Sequence, residues 1–109
     1  MSYNVKTIDV FEKQARRLSK KYASLKAELK QLILDLKTNP QQGTPIGKNC
    51  FKIRFAIQSK GKGKSGGARI ITNIVVNEDS VYLLTIYDKS EKDNLTSKEL
   101  NDLLDDIPK

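Results

Sequence analysis

The 109-residue chain carries 20 Lys and Arg against 13 Asp and Glu, a formal net charge of +7, with 38% hydrophobic and 30% charged residues. That is the size and composition of one soluble domain, residues 1–109, with a modest core, and its basicity favours acidic partners: nucleic acid, an anionic membrane or an acidic protein. No apolar run approaches the ~18 residues of a membrane span, the start lacks the apolar stretch of a signal peptide, and the single cysteine, Cys50, excludes an internal disulfide framework and suits a reducing cytoplasm.

Histidine is absent altogether. That removes the usual general base, the commonest metal ligand and every Ser-His or Cys-His catalytic pair. No metal or cofactor is expected.

Residues 3–8 alternate weakly and predict a short strand. Asp9 with Glu12 makes an Asp-x-x-Glu capping pattern for a helix start. Apolar residues then recur at Ile8, Phe11, Ala15, Leu18, Tyr22, Leu25, Leu29, Leu32 and Leu36, in unbroken steps of three and four. One continuous helix would run about 40 Å at about 1.5 Å per residue, long against the ~13 Å radius of gyration of a 100-residue domain. The spacing therefore predicts two antiparallel helices folded near residues 20–24, with Ser24 capping the second. Pro40 ends that helix. Residues 41–49, with Gly43, Pro45 and Gly47, read as a loop.

From 50 to 57 the alternation is clear: Phe51, Ile53, Phe55 and Ile57 on one face, Lys52, Arg54 and Ala56 on the other. Residues 68–76 form a more fully apolar strand, and a turn at 77–80 leads into a third at 81–87. These make an antiparallel meander. Thr96-Ser97-Lys98-Glu99 is a capping box bracketed by Leu95 and Leu100, opening a last helix whose apolar face is Leu100, Leu103, Leu104 and Ile107.

Between the first two strands of the meander lies the basic stretch Lys60-Gly61-Lys62-Gly63-Lys64-Ser65-Gly66-Gly67-Ala68-Arg69. It has almost nothing apolar to bury. Glycine lets a ligand approach the backbone, and lysine meets phosphate as a point charge. It is not a nucleotide P-loop: Gln58 stands where that motif needs glycine, and a strand follows instead of a helix. An anion-binding loop remains, or a solvated hairpin tip. Cys50 reads as a small buried residue. Tyr87 reads as sheet packing, and Asp88 and Glu91 as surface carboxylates.

The order helix–helix–strand–basic loop–strand–strand–helix resembles the RelE/ParE toxin superfamily of toxin–antitoxin modules. The stretch from Gly61 to Ile71, with the later Leu84-Thr85-Ile86-Tyr87-Asp88-Lys89-Ser90-Glu91, is similar to its HigB-type, RelE-like branch. The resemblance implies an α+β fold, with an N-terminal helical hairpin packed on a small antiparallel sheet and a C-terminal helix. It implies a type II toxin that cleaves mRNA on the ribosome, a metal-independent endoribonuclease neutralised by a cognate antitoxin; ParE-type members poison gyrase instead. Arg69 sits where RelE-like toxins keep an arginine on the scissile phosphate, and Lys89 where the family holds a cation near the leaving group. Lys52 and Arg54 match the alternating basic residues of the preceding strand. The base such cleavage needs could be a lysine among these cations, with Glu91 as the carboxylate alternative. Lys60, Lys62, Lys64 and Tyr87 complete the RNA-binding set. The catalytic tyrosine of some members has no counterpart, Asn94 and Leu95 occupying that region, and histidine-dependent HigB members find no match. The implied partners are the antitoxin, the ribosome and mRNA, with no membrane, and the free toxin is expected to be monomeric.

Overall fold

The computed structural model describes residues 2–61, 63 and 66–108. The chain runs β1 (Asn4–Thr7), α1 (Asp9–Lys21), α2 (Leu25–Thr38), β2 (Thr44–Gly47), β3 (Cys50–Phe55), β4 (Ala68–Val75), β5 (Ser80–Asp88) and α3 (Ser97–Asp105), with 3₁₀ turns at Gln58–Lys60 and Val76–Glu78. The strands make one sheet in the order β1-β5-β4-β3-β2. The β1–β5 pair is parallel and the other pairs are antiparallel. The expected α+β arrangement is borne out: helices cover a largely antiparallel sheet on both faces. Among the described residues no helix is long and apolar enough to cross a membrane.

Sandwiching explains the sequence of the central strands. β4 is buried at every position but Val75, and β5 along its whole length. A strand covered on both faces reads as a continuous apolar run instead of an alternation. On one face Phe11, Leu18, Leu25, Leu29, Leu32 and Leu36 of the helical hairpin pack on Ile53, Ile70, Leu83 and Ile86. On the other, Leu100 and Leu103 of α3 pack with Ile8, Cys50, Ile71, Tyr82, Leu84 and Tyr87. The hairpin is closed at its far end, where Tyr3 N donates to Lys37 O at 2.8 Å.

Three local expectations are corrected. Asp9 is the first helical residue of α1 and not its cap. Ile8, extended at φ −115° and ψ 165°, holds the cap position without a side-chain bond, because β1 feeds straight into the helix. Asp9 still favours the helix start electrostatically. Ser24 does precede α2, but its hydroxyl donates to Glu28 Oε1 and accepts from Ser59 N, both at 2.9 Å, instead of capping. Residues 41–49 are not all loop: β2 pairs with β3 through a tight turn in which Lys48 and Asn49 take φ of 56° and 60°. Two successive positive φ values are what a two-residue hairpin requires. Pro45 is tolerated because β2 lies at the sheet edge.

The C-terminal cap forms as expected. Glu99 N donates to Thr96 Oγ1 at 3.1 Å, and Thr96 N donates to Glu99 Oε1 at 2.9 Å. Lys92 Nζ also donates to Glu99 Oε2, at 2.5 Å. The Lys92 ammonium first, then the Thr96 amide, hold the Glu99 carboxyl down at about 2, below its ordinary 4.5. A depressed folded value means the stabilisation is present above pH 4.5 and lost as pH falls toward 2. Amide exchange across α3 should therefore quicken between those values while that of β4 and β5 stays slow. In Glu99→Gln the α3 exchange should already be raised at neutral pH and depend far less on acid.

Candidate nucleic-acid interface

Strand register decides which cations share a face. Residues opposite one another project to the same side of a sheet, and neighbours along a strand to opposite sides. Arg54 of β3 stands opposite Arg69 of β4, and Arg69 opposite Tyr87 of β5. Two residues along β3, Lys52 stands opposite Ile71. Lys52, Arg54, Arg69 and Tyr87 therefore lie on the α3 face, at the end of the sheet where the basic stretch leaves β3 and re-enters β4.

Like charges directly opposite destabilise a sheet. Arg54 and Arg69 are such a pair. Arg69 is 6% exposed, and its Nη1 donates to Ala68 O at 3.1 Å. Arg54 is exposed and Lys52 half-buried. Among the described residues no carboxylate bridges Lys52 or Arg54. The arrangement concentrates positive potential on one corner of the sheet, suited to an anion with several oxygens.

Two further groups border it. The ring of Tyr87 packs in the α3-side core, but its hydroxyl is buried without a hydrogen-bond partner among the described residues. Burial pushes this phenol above its ordinary 10.0, against the pull of Arg69 and Lys92. It stays protonated and able to donate. Lys89, just past β5, donates its backbone N–H to Gly67 O at 3.0 Å. Its ammonium lies 3.3 Å from Asp93 Oδ1, a carboxylate whose side chain is 85% exposed. Such a surface pair is weak and readily exchanged for another anion. Gly67 itself admits no side chain, since a Cβ there would meet Phe55 O at 2.2 Å. The returning chain thus crosses directly against the end of β3.

Other expected site residues sit differently. Lys60 is only 8% exposed at its side chain, and its ammonium is bonded to the carboxylate of Asp88. It is not presented to solvent. Glu91 receives Arg17 Nη2 at 2.9 Å and Nη1 at 3.3 Å, with Lys21 Nζ at 3.7 Å. The Arg17 guanidinium holds its carboxyl below the ordinary range, which weakens it as a base. Lys62 and Lys64 lie outside the described residues.

Asp88, which reads as a surface carboxylate in the sequence, is fully buried. Burial alone would raise its pKa, but bonds from Lys60, Tyr22 and Ser90 outweigh that and hold it well below the usual carboxylate range. The available signal was its place at the end of an apolar strand, where a charged residue needs a partner from elsewhere in the chain. Cys50 is buried, as expected.

A double arginine-to-alanine variant of Escherichia coli RelE in the free state superposes with a TM-score of 0.65 at 15% identity, covering 99% of this chain and 100% of that one. RelE in the intact E. coli RelBE toxin–antitoxin complex gives 0.61 at 14% identity, covering 80% and 96%. The Mycobacterium tuberculosis RelBE2 toxin–antitoxin complex gives 0.61 at 17% identity, covering 81% and 99%. At these identities the likeness establishes the fold. The sequence profile described as the RelE toxin of the RelE / RelB toxin-antitoxin system matches residues 8–105. That match spans every element from α1 to α3, and the chain belongs to the RelE toxin family.

Proposed function

We propose that this chain is the toxin of a type II toxin–antitoxin system, of the HigB-type branch, acting in the cytoplasm as a ribosome-dependent mRNA endoribonuclease. The observation that carries the reading is the cross-strand pair Arg54–Arg69, beside Lys52 and with no carboxylate bridging Lys52 or Arg54 among the described residues. A like-charge pair in register has a cost in the free protein that a bound phosphate removes.

RNA supplies its own nucleophile. The 2′-oxygen attacks the adjacent phosphorus in line, the P–O5′ bond breaks, and a 2′,3′-cyclic phosphate and a 5′-hydroxyl result. One proton leaves the 2′-hydroxyl and one reaches the departing 5′-oxygen. The enzyme's share is orientation and charge stabilisation. Arg69 and Arg54 take the non-bridging oxygens, and Lys89, released from Asp93, meets the leaving oxygen. Glu91, occupied by Arg17 and Lys21, is the weaker candidate base. With no well-placed base among the described residues, the site depends on the ribosome to hold the RNA in line.

Exposed Arg54 and buried Arg69 test this together. Loss of one such electrostatic contact lowers the rate about 100–1,000-fold. Arg54→Ala should fold normally and lose toxicity, and Arg69→Ala should do so where its melting curve confirms folding. In cells briefly expressing the wild-type chain, mapped mRNA 5′ ends should be phased to codons. Unphased transcripts with DNA damage would point to gyrase, and growth arrest without either to simple ribosome binding. Free mRNA should be cut slowly, and ribosome binding should weaken steeply with salt.

The antitoxin, in this reading, docks away from the site. A groove between α1 and α2 has an apolar floor that includes Phe11, Ala15, Leu29 and Ile33, and Arg16, Lys20, Lys26 and Lys30 among its lining. It fits an amphipathic segment rich in Asp and Glu. In the complex, amide exchange should slow over residues 11–36 and change little over 59–69. Protection confined to 59–69 would overturn this docking mode.

A further inference from the structure

The buried carboxylate of Asp88 lies at the back of the proposed site. Asp88 stands opposite Ala68, one position from the Arg69–Tyr87 pair. Its side chain therefore projects to the helical-hairpin face, opposite to Arg69. Tyr22, packed against the hairpin-side core, donates its hydroxyl to Asp88 Oδ2 at 2.6 Å. Asp88 Oδ1 accepts the Lys60 ammonium, Ser90 N at 2.9 Å and Ser90 Oγ at 2.7 Å. Four donors fill the acceptor capacity of a carboxylate. Lys21 Nζ adds a second cation at 3.8 Å.

The three donor residues each fix a different piece of the site's frame. Lys60 closes the 3₁₀ turn that leads into the basic stretch. That turn is also tied to α2, where Glu28 Oε2 accepts Gln58 N at 2.9 Å and Ser24 Oγ accepts Ser59 N at 2.9 Å. On the far side of the stretch, Gly67 O accepts Lys89 N, and Glu91 N and Lys92 N both donate to Asp88 O, at 2.9 and 3.0 Å. The chain leaving β3, the chain entering β4 and the turn after β5 are thus joined within two residues of Asp88.

We propose that Asp88 is a positioning residue: its carboxylate, buried behind the sheet, clamps the two ends of the basic stretch and the turn carrying Lys89, and so sets the spacing of Arg69 and Lys89 on the phosphate. The anion acts without neutralising the cationic face, because the sheet stands between them. The inference rests on the nuclease reading for its kinetic consequence but not for its structural one.

The test uses purified Asp88→Asn, with Tyr22→Phe as a milder variant that removes one donor and keeps the ion pair. Melting curves first define a temperature at which each is folded. At that temperature, amide exchange of residues 59–61 and 66–69 and of Lys89 should rise at least tenfold in Asp88→Asn, with the centres of β4 and β5 unchanged. On programmed ribosomes, cleavage at saturating ribosome concentration should fall about 100-fold, the penalty for about an ångström of misplacement. Half-saturation should move less than about threefold, since the cationic face that binds RNA is intact. Tyr22→Phe should shift both readouts in the same direction by less.

A purely stabilising role predicts a lower melting temperature with wild-type loop exchange and wild-type turnover in the folded protein, and that result would overturn the proposal. If Asp88→Asn does not fold, Tyr22→Phe decides by the same two readouts. If the wild-type chain cuts no RNA on ribosomes, the nuclease reading falls, and the exchange of residues 59–69 in the variants alone upholds or refutes the clamp.

Discussion

The carboxylate of Asp88 and the ammonium of Lys60 are buried together where the turn between α1 and α2, the basic stretch and the end of β5 meet. Taking two charges out of water is costly unless the geometry is good and every remaining donor and acceptor is satisfied. Here Tyr22 and Ser90 supply that satisfaction. Breaking such a pair by removing one partner leaves an uncompensated charge, typically at a cost of ~3–5 kcal/mol. An apolar replacement can pack as well, but it does not hold three chain segments in one fixed direction. Hydrogen bonds to a charged centre do.

The pair can work in this way because the sheet is covered on both faces. The helical hairpin gives the back of the sheet a dry layer in which an ion pair is strong, while α3 covers only part of the front. The front corner keeps Arg54 exposed and sets it opposite Arg69, a placement that electrostatics disfavours in the unliganded protein. Beside them Tyr87 adds a buried hydroxyl without a partner among the described residues. Unsatisfied groups of this kind cost about 1–3 kcal/mol. The fully satisfied cluster on the reverse side holds shape, while this corner carries the proposed ligand site.

The exposed ion pairs play a smaller part. Arg17–Glu91 and Lys98–Asp102 sit in water and are screened by salt. Arg17–Glu91 matters more for what it denies, since it occupies the carboxylate two residues past Lys89. α3 is held by its apolar face, its capping box and the contacts Lys92–Glu99 and Lys48–Asn101.

Local sequence determined most of the frame. The three- and four-residue steps of the hairpin, the alternation of β3, the apolar runs of β4 and β5 and the capping box of α3 are properties of short windows, and each produced its element. The motif around Arg69 and Lys89 was legible in the same way, and it pointed to the family. What escaped were pairings between distant parts of the chain. β1 joins the sheet beside β5 across more than seventy residues of sequence, and β2 hides behind a proline that only an edge position tolerates. Lys60, Asp88 and Glu91 look alike as solvated charges in the sequence. Only the folded chain decides that Tyr22 and Lys60 meet Asp88 in the interior while Glu91 turns to Arg17 at the surface, because whether a charge is buried depends on what the rest of the chain brings to it.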